Sequence, residues 1–579
     1  MLKISEILKA TKGEVLNNFS DFLITGISID SRKVKEGELF IAIKGNNFDG
    51  HDFIKEAIEK GAKAIIFDNP SKIPEFKNIC LIKVINCRTA LGEIAKYYRS
   101  LFHCPTIAVT GSNGKTTVKE LTAFLLEKKY KVVKAKESYN NDIGVPLTIF
   151  ELTKDTEFLV LEMEMNQLGG IKTLCEIANP DIGIITNIGD THLEFLKDRK
   201  GVAKEKSELL EYLTPNGIAI LNNDDPIVKE MSKDFSLKKI FFGIKNKECE
   251  IFATPLELNK DSTKILLFDK IEIKLPLIGI HNIYNFLASL SVIKALNLDI
   301  YQFLDIKDFQ PPPMRTNLYQ LKNITILLDC YNANPSSMEN AFEILKTIFK
   351  KERKIGILGD MKELGEKSSE FHYQLGEKAG AIFDKLIFYG DYGEEVKKGF
   401  LNKERKEEDF YYFSLDSKDK LIAKVIEILK EGDIIPKIDL IDHNGNKITI
   451  GDNKKYTVLY FYPKDDTPGC TKQGINFSNL KEEFEKLNVQ IIGVSRDSIE
   501  SHKKFAQKYN LNIHLVSDKD KKLATIFEVE GKLTFSRDTI VLDPNGKVIK
   551  IYRKVNASTN PYEVLNFLKD FILQTNLSK

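Results

Sequence analysis

No run of eighteen apolar residues occurs in the 579-residue chain, which argues against a membrane-spanning helix. Neither sign of charge dominates: 85 Lys and Arg face 83 Asp and Glu, a net charge of +2. A balance this even argues against a dedicated nucleic-acid binder, whose basic footprint would show in the total. The amphipathic N-terminus, MLKISEILKATKGEV, lacks the apolar h-region of a signal peptide. The seven cysteines, at 80, 87, 104, 175, 249, 330 and 470, are odd in number and contain no C-x-x-C pair. That pattern excludes a zinc ribbon and a disulfide framework, and the expected compartment is a reducing cytoplasm. Internal repeats and low-complexity tracts are also missing. What remains is 42% hydrophobic and 29% charged residues, enough to build packed cores and too apolar for wholesale disorder. At roughly 100–200 residues per domain, the length predicts about three to five domains.

Short strand-like runs, LITGISID, ELFIAIKG and AKAIIFD, fill the first eighty or so residues. A helical stretch, ALGEIAKYYRSLF, then leads into PTIAVT. Beyond it, FLVLEMEM, DIGIITNI and GIAILNND are apolar strands, each followed by amphipathic sequence. This alternation predicts a parallel, doubly wound α/β sheet. Pro311-Pro312-Pro313 marks a hinge into a further alternating segment carrying ITILLDCYN, RKIGILGD and KLIFYG. After the helix KLIAKVIEILK and Gly432 the chain changes character. It becomes β-rich at entry, then carries TVLYFYP, QIIGVS and a hairpin-like TIVLDPNGKVIKIY. The expected domains are 1–83, 84–310, 311–432 and 433–579.

TIAVT-GSNGKTT-VKELTAFLLEK reads as a strand, a Gly-rich turn and an amphipathic helix. Gly111 and Gly114 let the backbone N–H groups of Ser112, Asn113 and Thr117 and their neighbours converge on phosphate oxygens. Lys115 supplies charge for the β- and γ-phosphates, Thr116 a hydroxyl for Mg²⁺, and the helix N-terminus its dipole. The loop is short: the residue five before Gly114 is Val109, not glycine. In that form TGSNGKTT resembles the ATP loop of the Mur ligases and their folate-ligase relatives. IDSRKVKEGELFIAIKGNNFDGHDFI, with Ser31, resembles the module that holds the substrate's uridine nucleotide. YNNDIGVPLT, with Asn140, YNANP, with Asn332 and Asn334, and LGDMKELG resemble one branch of the family. That branch joins D-alanyl-D-alanine to UDP-N-acetylmuramoyl-tripeptide.

The resemblance covers about residues 1–432 and implies an N-terminal substrate module, a central P-loop ATPase domain and a C-terminal Rossmann-like domain. It implies ATP and Mg²⁺ as cofactors. The chemistry fits: a carboxylate is phosphorylated to an acyl phosphate, an amine attacks, and the protein aligns anions and neutralises charge. Glu162, at the end of FLVLEM, is placed for metal binding, and His192 follows the strand DIGIITNIG at a carboxyl end, where open α/β sheets bind ligands. The resemblance assigns Thr116, Glu162, His192 and a carbamylated Lys206 to the metals, with Lys204 as the fallback. It assigns His281, Asn282 and Asn285 to the adenine side, Arg315 and Asp329 to further ATP contacts, and Ser31, Asn140, Asn332 and Asn334 to substrate. Departures from the family are Glu164 where glycine is usual, Gly170 where an acid is usual, Cys330 in place of a second Asp, and no family tail after Gly432-Asp433. A reading of another class, a degenerate ligase serving as a nucleotide-sugar-binding scaffold, draws on Glu164 and the missing tail.

YTVLYFYPKDDTPGC places a buried strand before Pro463 and a helix start at Pro468. Cys470 falls in the first helical turn, where free N–H groups and the dipole favour a thiolate. The hydroxyl of Thr467 is expected beside the sulfur. This Pro-x-x-x-Thr-x-x-Cys pattern resembles the peroxiredoxins, especially the bacterioferritin-comigratory type, with IIGVSRDS and SRDTIVLDPNGKVI in step. The resemblance implies a thioredoxin-like domain, a peroxide substrate, and Arg537 as the arginine that lowers the cysteine pKa. Many relatives carry a resolving cysteine five residues on; here that residue is Ile475 and no cysteine follows Cys470. An external thiol reductant such as thioredoxin is therefore expected.

Overall fold

The computed structural model describes residues 1–17, 20–73, 78–321, 324–433, 435, 437–452, 454–529, 531 and 534–577. It divides into two compact units, Met1–Ser414 and Leu415–Lys579. The helix Lys418–Lys430 falls within the second of these units.

The first unit opens with a five-stranded sheet in which Glu14–Val15, Cys80–Lys83, Ala64–Phe67, Leu39–Ile41 and Ile27–Ser28 lie side by side. Only Glu14–Val15 runs antiparallel to its neighbour. Ala64–Phe67 is buried along its whole length, as a central strand covered on both faces must be. The helix Cys87–Arg99 leaves this sheet; Asn86 caps it by accepting the Thr89 N–H.

A nine-stranded sheet follows. Within it Thr106–Thr110, third from one edge, is paired in parallel with Phe158–Glu162 on one side and Ile182–Ile185 on the other. Alternate residues of Thr106–Thr110 feed two separate cores. Ala108 packs with the helices Cys87–Arg99 and Gly170–Ala178, while Ile107 and Val109 pack with Lys115–Glu127 and Ile280–Ala295. Each such fully buried aliphatic side chain contributes about 1.5–3 kcal/mol. The strong two-sided burial fixes the register, and with it the point where the chain turns out of the sheet at Gly111.

The remainder of this unit alternates helix and strand. Ile355–Gly359, Lys385–Tyr389 and Phe410–Phe413 form a parallel three-stranded sheet. The ITILL run, read from sequence as part of that alternation, pairs instead with Asn317–Leu321 as an antiparallel hairpin. Its residues are half-buried or exposed, unlike the buried Leu386, Ile387 and Phe388.

The second unit is thioredoxin-like. Its central strand, Tyr456–Phe461, is parallel to Val489–Ser495 and antiparallel to Asp538–Leu542 in a five-stranded sheet. Val458 and Tyr460 face one core; Leu459 and Phe461 face the other. The helix Pro468–Asn479 starts just beyond that strand and carries Cys470.

Candidate active sites

The first site grows from three adjacent strand ends. Gly111 and Gly114 have φ of +139° and +85°, a region that disfavours side chains. A Cβ at Gly111 would collide with Thr186 Oγ1, and one at Gly114 with Asn285 Oδ1. Thr186 Oγ1 donates to the Asn113 carbonyl at 2.6 Å, and the Ser112 and Asn113 N–H groups donate to Asn187. The loop is thus stapled to the end of the neighbouring strand before the helix Lys115–Glu127 begins. Lys115 is buried; its Nζ donates to the Gly111 and Ser112 carbonyls at 2.8 and 3.3 Å and pairs with Glu164 at 2.7 Å.

Thr116 Oγ1 donates to Glu162 Oε2 at 2.8 Å, and Asn140 Nδ2 donates to Glu162 Oε1 at 3.0 Å. A hydroxyl beside a buried carboxylate is a hard-oxygen donor set of the kind Mg²⁺ takes, so the residues present fit that ion. His192, at φ +54°, presents Nε2 to Glu164 Oε1 at 3.3 Å, while its Nδ1 bonds to Glu363. Burial would push the Glu164 carboxyl up. The Lys115 ammonium and the His192 hydrogen bond outweigh it and hold that carboxyl well below the usual range. Lys206 has no exposed surface, whereas Lys204 is exposed. The Lys206 ammonium lies 2.8 Å from Glu205, also fully buried, yet neither group makes a hydrogen bond there among the described residues. Burial pushes the Glu205 carboxyl up.

A cavity of about 330 Å³ opens over the loop. Lys115, Thr116, Thr117, Asn140, Glu162 and Glu164 line one side; Asn282, Arg315, Asp329, Asn332 and Asn334 line the other. Its second wall is braced to the first. Asn334 Nδ2 donates to Asn113 Oδ1 at 2.8 Å while Asn334 Oδ1 caps the helix Pro335–Thr347 at the Ser337 N–H. Asn285 donates to Asn282, and Asn282 to the Ile278 carbonyl. Arg315 stacks 4.1 Å over Tyr331, and Asp329 accepts the Thr316 N–H while burial raises its carboxyl. His281 borders this cavity and a neighbouring one of about 500 Å³ on the far side of Asn113 and Gly114. Burial lowers its pKa to about 4, so it is neutral at pH 7.

Of the residues expected at the nucleotide and substrate site, Ser31, Gly111, His192 and Lys206 do not line this cavity, and the others do. Ser31 sits in the N-terminal domain with its hydroxyl donating to Glu56. His192 is joined to the cavity wall through Glu164. Sequence reasoning gave no role to Glu363 or Glu205. Glu363 stands inside the quoted LGDMKELG segment, and that membership is the one sequence signal available.

In the second unit Cys470 is buried in the first turn of its helix, and Arg537 Nη2 lies 3.3 Å from its sulfur. Gln473, not singled out from sequence, accepts from Arg537 Nη1 at 2.7 Å. Gln473 in turn donates to Asn560, which also accepts from Thr539. The Thr467 hydroxyl, at the N-cap, donates to the Lys464 carbonyl at 3.1 Å. Pro463 is half-buried at the end of the central strand. Ile475 lines a separate depression with Pro468, Thr471 and Tyr509.

A P-loop on a doubly wound sheet, with a hydroxyl and a carboxylate poised for a cation, defines a nucleotide-dependent enzyme site. Family comparison agrees with the fold. Residues 23–99 match the Mur ligase family catalytic domain, 109–293 the Mur ligase middle domain, and 314–436 the Mur ligase glutamate ligase domain. The UDP-N-acetylmuramoyl-tripeptide--D-alanyl-D-alanine ligase of Synechocystis sp. is 36% identical over 66% of this chain and 82% of its own length. Its Bacillus subtilis counterpart is 31% identical over 75% and 94%. The crystal structure of MurF from Acinetobacter baumannii superposes with a TM-score of 0.65 at 28% identity, covering 73% of this chain and 92% of its own. That of MurF ligase from Thermotoga maritima in complex with ADP gives 0.60 at 30%, covering 71% and 92%. The chain belongs to the Mur ligase family. Its residues 432–551 match the AhpC/TSA family, so a second enzyme domain follows the ligase. Among the described residues no helix is long and apolar enough to cross a membrane.

Proposed function

We propose that this chain ligates D-alanyl-D-alanine to UDP-N-acetylmuramoyl-tripeptide with ATP and Mg²⁺, and that its C-terminal domain reduces peroxides with an external thiol. The observation that carries the ligase reading is the cavity over Lys115 and Thr116, whose far wall is formed by the YNANP segment and bonded to the loop through Asn334–Asn113. Lys115 and the loop N–H groups hold the transferring phosphate. Thr116 and Glu162 would hold Mg²⁺, which supplies charge neutralisation as the substrate carboxylate becomes an acyl phosphate. The wall residues align the incoming amine and exclude water. Lys206, buried and short of acceptors, suits conversion to a carbamate that faces a second cation alongside His192. Cys470, with Arg537 beside its sulfur, suits attack on a peroxide, leaving a sulfenic acid and an alcohol or water. The cytoplasm suits all of these substrates. The scaffold reading draws on the Lys115–Glu164 pair, which occupies the loop's cation. One assay decides between them: ADP release should require both defined substrates together, and release that ignores either one sinks the ligase reading.

A further inference from the structure

Glu164 stands two residues beyond the strand end at Glu162, and its carboxylate enters the phosphate-loop cavity. Its Oε1 is shared between Lys115 Nζ at 2.7 Å and His192 Nε2 at 3.3 Å. Its Oε2 accepts from Asn140 Nδ2 at 3.1 Å, the same nitrogen that serves Glu162. An ammonium has three donors. Lys115 donates to the Gly111 and Ser112 carbonyls and forms an ion pair with Glu164 at 2.7 Å. The two carbonyls belong to the loop and define its shape. A γ-phosphate that takes Lys115 must therefore take it from Glu164, and must do so beside a second carboxylate, Glu162.

We propose that Glu164 is a positioning residue that makes ATP binding conditional on a divalent cation, holding Lys115 until that cation offsets the carboxylates around the γ-phosphate. The inference rests on the ATP and Mg²⁺ reading above. Glu164 meets the Lys115 ammonium as an ion pair at 2.7 Å. Without a cation, the γ-phosphate meets two carboxylates and an engaged lysine. With a cation on Thr116 and Glu162, the repulsion is offset and Lys115 can change partners. ADP carries no γ-phosphate and meets Lys115 through its β-phosphate alone, so it is less sensitive to Glu164 than ATP. Glycine, usual at this position in the family, would impose no such condition.

The test is equilibrium binding of ATP and of ADP to the full chain, with EDTA or with Mg²⁺, in wild type, Glu164→Gln and Glu164→Gly. Matched thermal melts verify folding. Both variants should bind ATP about tenfold or more tightly in EDTA, with ADP shifted less than about threefold. The gain that Mg²⁺ gives to ATP should shrink by the same factor. Unchanged ATP affinity in EDTA, or equal gains for ATP and ADP, would overturn the proposal. Weaker ATP binding with Mg²⁺ in Glu164→Gln would also overturn it, since Glu164 would then be a ligand of the cation. A wild-type chain whose ATP affinity ignores Mg²⁺ would overturn the cofactor reading itself, and this inference with it.

Discussion

Lys206 and Glu205 are neighbours in sequence, both wholly removed from water, and neither forms a well-directed hydrogen bond among the described residues. Taking two ions out of water costs several kcal/mol each, and poor geometry leaves that cost uncompensated. Carbamylation by CO₂, with the ammonium's protons released to solvent, would replace that poorly placed cation with an anion able to face a metal ion. Lys206→Ala should then lose most of the ligase rate, and short-chain carboxylic acids should restore part of it in steady-state assays. Full activity in Lys206→Ala, with Lys204→Ala inactive, would move the role to the exposed lysine. In the second unit the sulfur's neighbour is set at one remove. Gln473 fixes Arg537, and Asn560 fixes Gln473. A hydrogen bond to a charged group is worth about 1.5–3 kcal/mol. Gln473→Ala should therefore lower peroxide kcat/KM by about tenfold or more in steady-state assays. An unchanged kcat/KM would show that Arg537 holds its place unaided.

The helix Pro335–Thr347 begins with one side chain performing two tasks. Asn334 Oδ1 caps the helix, and Nδ2 reaches the phosphate loop at Asn113. Serine can keep the first task without the second. Asn334→Ala should cost about 1 kcal/mol of stability and weaken ATP binding, whereas Asn334→Ser should weaken ATP binding with little loss of stability. Denaturation curves alongside nucleotide titration separate the two, and unchanged ATP binding in Asn334→Ser would leave the Asn113 bond without a role. This coupling also marks how far the sequence could be read. The phosphate loop and the Cys470 turn were legible because each is a contiguous strand–turn–helix whose residue types carry the chemistry. Glu363 was not, since it meets His192 from 171 residues away and only the tertiary fold joins them. The ITILL run misled for a related reason: an apolar run signals a strand but not its partner. Thr467 sits where the motif puts it, and its hydroxyl donates to a local carbonyl.

At the scale of the whole molecule, two catalytic chemistries share one chain without sharing a residue. Lys115→Ala should abolish ADP release and leave peroxide reduction intact, and Cys470→Ser should do the reverse. Loss of both activities from either change, in a chain that still melts normally, would refute separate sites. The second unit has no other cysteine, so one equivalent of peroxide should leave Cys470 as a sulfenic acid that a dimedone-type probe captures, and excess peroxide should drive it to the sulfinic form. A crosslinked Cys330–Cys470 peptide in mass spectra would contradict this.

The crowding at Gly111 has a bearing on how such a chain can change over generations. Any side chain there strikes the hydroxyl of Thr186, and that hydroxyl is already holding the Asn113 carbonyl. Drift at Gly111 is therefore blocked unless Thr186 shifts in the same step, whereas Asn113 enters only through its backbone. The turn sits in an isolated corner of sequence space, and an enzyme descended from this one could exchange most of its surface before it exchanged that pair.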